Sequence, residues 1–371
     1  MLGRVLTSIG ALIIVAGTMV SSVELAGQTS SLASAGAKLP GADVVKAFIA
    51  SRMAKNWVPP KTSWGDPDIQ GVFTTKDEAN TPFERPDEWA GRRMDDITPK
   101  EFAAAIVKRQ REAVERAPFA GGGEPEEGVA IAVPIHWFDN LAAKNSRPWF
   151  VIDPPDGKIP PLTAEAAKRP RAFGPGGGGA ASGGDAQTSL RGGRRDTYTD
   201  RYLGDRCIMW GSGVPHTPGI YGNSFQILQT PGYVVIRYEM IHEARLVPLD
   251  GRQHTSSKIR GYMGDSRGRW DGNTLVVETK NLHETANYRG APGKSLRLVE
   301  RFTRIAPNRV EWSMTFDDPT TWERPWTYSL PMTQDDTQII HEYACHEGNY
   351  GMANLLSAAR AAEKKGGESG R

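Results

Sequence analysis

The sequence has almost no excess of charge: 45 basic against 43 acidic side chains leave +2 over 371 residues. No global field draws it toward nucleic acid or anionic lipid, and neither is expected as a partner. An apolar run of about 20 residues is also missing, which excludes an ordinary membrane span. No repeat of fixed period is visible, so a solenoid or propeller array is not expected. What is abundant is glycine, 41 residues, and proline, 26. That usage argues against long helical bundles and for a chain rich in turns. With 39% apolar and 24% charged positions, the chain is nevertheless able to bury one or two ordinary cores.

The N-terminus opens with one positive charge, Arg4, followed by an uncharged apolar run over 9–20 and then small residues Ser21, Ser22 and Ala26. This order reads as a secretory signal over 1–26, with cleavage after Ser22 or Ala26; an uncleaved N-terminal anchor is the alternative. Export to the periplasm or medium is therefore expected, with no stable membrane span once the signal is removed. Only two cysteines exist, Cys207 and Cys345. An even count in an exported chain predicts one disulfide, against two separate buried thiols.

Residues 27–200 read as an extended wrapping region. Within it, Asp43 is placed to cap a short helix carrying Val45, Phe48, Ile49 and Met53 at helical spacing. Thr98, Pro99 and Glu101 form a clear helix start, predicting a helix over about 99–116. Two stretches, 120–129 and 174–195, are glycine-rich with few apolar groups and read as flexible insertions. The second holds Gly176 to Gly179, but no Gly-Lys-Ser/Thr closes the run, so it is not a phosphate loop.

From 201 to 365 the pattern changes to consecutive strands with short turns. Alternation is strong over 233–247, and Asp271-Gly272-Asn273 signals a hairpin before 274–279. Further strands are expected over 225–228, 296–303, 310–316, 326–330 and 338–345. A C-terminal helix over about 350–363 should stop at Gly366-Gly367, leaving a disordered tail over 366–371. The predicted fold class is mainly β: an antiparallel meander forming a barrel or half-closed sheet, since a meander of this length must hide its edges.

Side chains alternate across a strand, so each strand sorts into two rows. In 233–247 the apolar row holds Val234, Ile236, Tyr238, Met240, His242, Ala244 and Leu246, with Arg237, Glu239, Glu243 and Arg245 opposite. Val310, Trp312, Met314 and Phe316 point inward, with Glu311, Ser313, Thr315 and Asp317 outward. Glu300 shares an apolar row with Leu296, Leu298 and Phe302. In 338–345, His341, Tyr343 and Cys345 fall on one face, and the pattern leaves open whether it is the inner one. A buried Glu300 needs a partner, a proton or a wet cavity. Arg297, Arg301 and Arg304 are the candidate partners.

Several constellations lack the spacing their chemistry needs. His341 and His346 are five apart, so neither a strand nor a helix puts them on one face, and no metal site is expected. Cys345 beside His346 is a thiol–imidazole pair in sequence only, and a disulfide would remove the nucleophile. Ser212 and Ser266 lie near glycines without a nucleophile-elbow spacing. Arg267 and Arg269, in the 264–270 run, could hold an anion, but Asp265 is a nearer local partner. Nothing in the sequence calls for a cofactor.

Long motifs carry a resemblance. Trp64-Gly65-Asp66-Pro67-Asp68-Ile69-Gln70-Gly71-Val72-Phe73-Thr74, the run 264–279, Asp318-Pro319-Thr320-Thr321-Trp322, and His341-Glu342-Tyr343-Ala344-Cys345-His346-Glu347-Gly348-Asn349-Tyr350 resemble a family of uncharacterised exported bacterial proteins. The resemblance spans most of the chain from Trp64 to Arg360. It implies export and brings no activity with it. Separately, the Gly268-Arg269-Trp270 start and the up-and-down meander are similar in pattern to lipocalin-like (calycin) barrels, a fold type that hosts carriers and enzymes alike.

Three functions fit these residues. The first is binding of a small apolar or aromatic molecule in the barrel, with Tyr238, His242, Glu300 and His341 as polar contacts and Arg245, Trp312, Trp326 and Tyr343 also lining the site. The second is acid–base catalysis as a lyase, isomerase or hydrolase. There His242 is the base, Glu300 or Glu342 orients it, and Tyr238 or Arg245 stabilises an oxyanion. The third is a structural envelope or partner-binding module.

Overall fold

Alternating apolar residues and tight turns produce the elements that build the wall. The computed structural model describes residues 39–116, 141–169, 197–200, 203–204, 206–209, 217–219, 221–284 and 287–369, without the side chains of Arg116, Asp200, His242, Asn287 and 366–369. The signal segment and both glycine-rich insertions lie outside the described residues. Helix α1 spans Ala42–Arg52, strand β1 Gly71–Thr74, helix α2 Pro99–Arg116, strand β2 Val151–Asp153 and the short helix α3 Ala164–Ala167. Then follow β3 (Ser224–Thr230), β4 (Tyr233–Tyr238), β5 (Ala244–Pro248), β6 (Asp265–Asp271) and β7 (Thr274–Lys280). The chain ends with the ribbon β8 (Asn287–Tyr288) and β9 (Ala291–Pro292), the long strands β10 (Arg297–Ala306), β11 (Arg309–Asp317) and β12 (Trp326–Gln334), and helix α4 (Tyr350–Ser369).

The strands form one antiparallel sheet in the order β5-β4-β3-β1-β12-β11-β10-β7-β6, a nearly closed nine-stranded barrel. Its two end strands meet by packing rather than by a backbone ladder. A Cβ at Gly268 would lie 2.7 Å from Val247 Cγ1 and 2.6 Å from Leu249 Cδ2. Glycine at this position lets β5 press onto β6 and hides both edges.

The wrapping region contributes wall as well as cover. β1 is inserted between β3 and β12, pairing Phe73 with both Phe225 and Gln334. β2 pairs with β12 at its other end. The meander is therefore two meanders joined by a four-residue strand, too short for its alternation to announce it. α1 packs Val45 and Ile49 on the outside of the wall against Ile305. Gly41, with φ of 72°, caps it in the left-handed conformation, and Asp43 sits in its first turn rather than at the cap. α2 starts as the sequence predicts: Thr98 Oγ1 accepts from the Glu101 N–H, and the Glu101 carboxylate accepts from the Thr98 N–H.

Two expected strands differ. The 233–247 stretch is broken by a 3₁₀ turn, Met240–His242, with Ile241 at φ 54°. That turn resets the alternation, so Arg245 is buried while Ala244 and Leu246 are exposed, the reverse of the uninterrupted pattern. The 338–345 segment forms no strand. After β12 the chain turns at Asp335 and Asp336 and runs irregularly, tied by Gln338 to Ser224 and by the Ile340 carbonyl to Arg237. The neighbouring edges are already occupied, so its alternation has no ladder to join. α4 continues through Gly366 and Gly367 to Ser369 rather than ending before them, since a glycine within a helix costs only about 1 kcal/mol. Among the described residues no helix is long and apolar enough to cross a membrane. Cys207 and Cys345 are joined by a disulfide, their Cα atoms 5.6 Å apart.

Candidate functional site

Strand register stacks the interior in layers. Leu298, Phe316 and Trp326 lie side by side at one end; Val277, Glu300, Met314 and Tyr328 form the middle; Leu275, Phe302, Trp312 and Leu330 come next. Aromatic faces dominate: Phe316 stacks with Trp326 at 4.3 Å and with Tyr288 at 4.5 Å, and Phe302 stacks on Trp312 at 5.2 Å.

The one carboxylate in this series of layers, Glu300, is fully buried, and its partner is Arg245. Arg245 Nη1 and Nη2 donate to its two oxygens at 2.6 and 2.9 Å, and Trp312 Nε1 donates to Oε1 at 3.1 Å. The arginine comes from β5 and the acid from β10, so the pair spans the interior. The arginines nearest in sequence serve elsewhere. Arg297 pairs with Glu278 and Asp317, Arg301 with Thr315 and the Pro40 carbonyl, and Arg304 with Gln334 and backbone carbonyls. Burial alone would lower the Arg245 pKa, but the Glu300 charge outweighs it and holds the guanidinium firmly protonated.

Tyr238 is brought to the same place by β4. Its ring packs edge-on against Phe225 and lies 5.9 Å from the Arg245 guanidinium carbon. The hydroxyl is buried and makes no hydrogen bond of ordinary geometry. Burial pushes its pKa up, opposed in part by the Arg245 charge.

A second polar group closes the end of the barrel where β10 begins. The β8–β9 ribbon turns at Arg289 and Gly290, with φ of 50° and 94°. Its tip places the Arg289 guanidinium 3.8 Å over the Phe83 ring, and Tyr288 beside it. Tyr288 is buried, its hydroxyl beside Arg289 and Tyr328 but without a hydrogen bond of ordinary geometry; Arg289 Nε and Trp326 Nε1 are likewise buried without one. Tyr328, in the middle layer, donates its hydroxyl to Met314 Sδ at 3.0 Å. Burial raises the pKa of both tyrosines, so their hydroxyls are neutral donors near neutral pH.

Of the residues singled out from sequence, Tyr238, Arg245, Glu300, Trp312 and Trp326 come together inside the barrel. His341 does not: it is exposed on the irregular 338–345 segment, although Cys345 is bridged as expected. Tyr343, on the same segment, is half-buried near Tyr221, whose hydroxyl is pushed up to about 12 by burial and by Tyr343. The backbone of His242 lies in the turn between β4 and β5, and its side chain is outside the described residues. Glu342 is exposed.

Sequence reading missed Tyr288 and Arg289, which sit on a ribbon too short to show a period. It also missed a charged group on the outer wall. His254 Nδ1 lies 3.0 Å from Asp265 and Nε2 lies 3.6 Å from Glu278, while Arg267 and Arg297 neutralise the same two acids. Here Asp265 does take a local arginine, as the sequence anticipates. Among the described residues no cluster of three or more histidine, cysteine or acidic side chains is placed to hold a metal ion. No protein-family model and no curated protein matches the chain.

Proposed function

We propose that this chain is an exported binding protein that takes a small molecule with an aromatic or apolar body into the barrel. The observation that carries this reading is a pair of buried tyrosine hydroxyls, Tyr238 beside Arg245 and Tyr288 beside Arg289 and Tyr328, that make no hydrogen bond of ordinary geometry, in an interior rich in stacked aromatic rings. A buried polar atom without a partner costs about 1–3 kcal/mol, and a ligand that accepts from it recovers that cost. The aromatic faces supply the apolar contact and the hydroxyls fix orientation. Acid–base catalysis has less support, because both Glu300 oxygens are engaged by Arg245 and Trp312. Export is supported by the disulfide and by the signal-like N-terminus, and the motif resemblance to exported bacterial proteins agrees with it.

The test is calorimetric titration of the oxidised protein with neutral probes of graded size: benzamide, 2-naphthamide and 4-phenylbutyramide. Binding of at least one, weakened about 5-fold or more by Tyr238→Phe or Tyr288→Phe at unchanged thermal stability, supports the reading. Absence of binding across the series, together with its acid counterparts, removes it.

A further inference from the structure

The end of the barrel covered by the β8–β9 ribbon gathers hydrogen-bond donors with no carboxylate among the described residues to receive them. Arg289 Nε and the Tyr288 hydroxyl are buried and make no hydrogen bond of ordinary geometry; the neighbours of the hydroxyl are the Arg289 guanidinium and the Tyr328 hydroxyl, themselves donors. No described carboxylate forms an ion pair with Arg289; its guanidinium is stacked on Phe83 at 3.8 Å instead. Tyr288 in turn stacks on Phe316, and Phe83 lies 4.8 Å from the Tyr328 ring. Arg289 also holds a left-handed backbone, φ 50°, at a turn position where glycine, asparagine or aspartate is the ordinary choice. The contrast with the other interior arginine is chemical: Arg245 has both arms on Glu300, whereas Arg289 lies over an aromatic face and beside the neutral Tyr288 hydroxyl, with no carboxylate among the described residues to pair with it.

Resting on the binding reading above, we infer that the ligand carries a carboxylate, held by the Arg289 guanidinium and the Tyr288 hydroxyl, with its apolar body against Phe83 and Phe316. A planar guanidinium presents paired N–H donors that match the two oxygens of a carboxylate, and an adjacent phenol supplies a further donor. Stacking on Phe83 shields one side of the cation, which strengthens its attraction for an anion entering from the other. A neutral isostere would leave the same donors unfilled.

Paired probes test this: benzoate with benzamide, 2-naphthoate with 2-naphthamide, and 4-phenylbutyrate with 4-phenylbutyramide, each titrated by calorimetry at pH 7.5. The expected result is that the acid of at least one pair binds tenfold or more tighter than its amide. Arg289→Gln should remove that preference by weakening the acid alone, Arg289→Lys should retain part of it, and Tyr288→Phe should weaken the acid about 3- to 10-fold. Thermal unfolding of each variant checks that the ribbon still folds; Arg289→Lys keeps the test decisive if the glutamine variant does not. Equal binding of acid and amide, tighter binding of the amide, or a preference unaffected by both Arg289 variants overturns the carboxylate inference and leaves the barrel-binding reading standing. Failure of every acid and every amide to bind overturns both.

Discussion

Glu300 and Glu311 sit on neighbouring strands but on opposite faces of the same sheet, and each is gripped by both arms of one arginine. Glu300 faces the interior and meets Arg245. Glu311 faces outward, where Arg147 donates to its two oxygens at 2.7 and 2.9 Å and Ser329 Oγ donates at 2.6 Å. Both carboxylates are wholly buried. The outer face is therefore a second interior, roofed by the N-terminal half. The hydroxyl pairs Ser313–Ser329 and Thr315–Thr327 lie along it, and Gly41 of α1 comes so near that a Cβ would lie 2.6 Å from both threonine oxygens.

From this relationship, Arg245→Met should destabilise the fold by about 3–5 kcal/mol, because it leaves Glu300 charged and buried with only the Trp312 N–H. The double variant Arg245→Met with Glu300→Leu should recover most of the loss, since a well-packed apolar pair of similar volume is often as stable as a buried ion pair. Urea denaturation followed by tryptophan fluorescence gives both values. Equal instability of the single and double variants would mean that the pair's charges are not what the single variant leaves unbalanced.

Closure of the barrel predicts a cost at Gly268. An added methyl meets Val247 Cγ1 and Leu249 Cδ2 at distances that force movement, so Gly268→Ala should lose about 1–3 kcal/mol. Combining it with Val247→Ala should cost less than the sum of the two single changes, because the second makes room for the first. Thermal unfolding of the four proteins measures the coupling. Strict additivity would contradict the packing described.

The disulfide joins residues 138 apart in sequence. In the chain-entropy picture a loop of that size contributes about 5 kcal/mol. Changing both cysteines to serine should lower stability by an amount approaching that figure and make the protein insensitive to dithiothreitol. Unfolding of the oxidised and reduced wild type against the double serine variant provides the comparison.

Acid should weaken the outer wall at Glu278 and Asp265. Burial pushes the Glu278 carboxyl up, but the neighbouring His254 and Lys280 side chains and the charge of Arg297 outweigh it, leaving its pKa well below the ordinary 4.5. Asp265 is likewise held below 3.8: burial opposes, and the Thr255 N–H and Arg267 prevail. A depressed folded-state pKa means that the unfolded chain binds more protons, so the stability these groups contribute is whole above about pH 4.5. It is lost as the pH falls through the unfolded values toward the lower folded ones. Glu278→Gln should therefore flatten the stability profile below pH 4.5 while lowering stability at pH 7. An unchanged acid limb would show that other groups govern it.

The sequence by itself determined much of the local order. The Asp271-Gly272-Asn273 turn, the alternation of 310–316, the capping box at Thr98 and the pairing of two cysteines rest on contacts within a few residues or on simple counting. Those same local rules fail wherever one residue resets the phase. Ile241 does so, turning Arg245 inward and giving Glu300 a partner 55 residues away rather than a neighbouring arginine. Tertiary structure alone decided that β1, four residues long, completes the wall, that 338–345 finds no open edge, and that Arg289 reaches Phe83 more than 200 positions back along the chain. Periodicity reports which side of a strand is apolar. It carries no information on which distant side chain will fill the space facing it, because that is fixed by where the sheet bends and which edges remain to be covered.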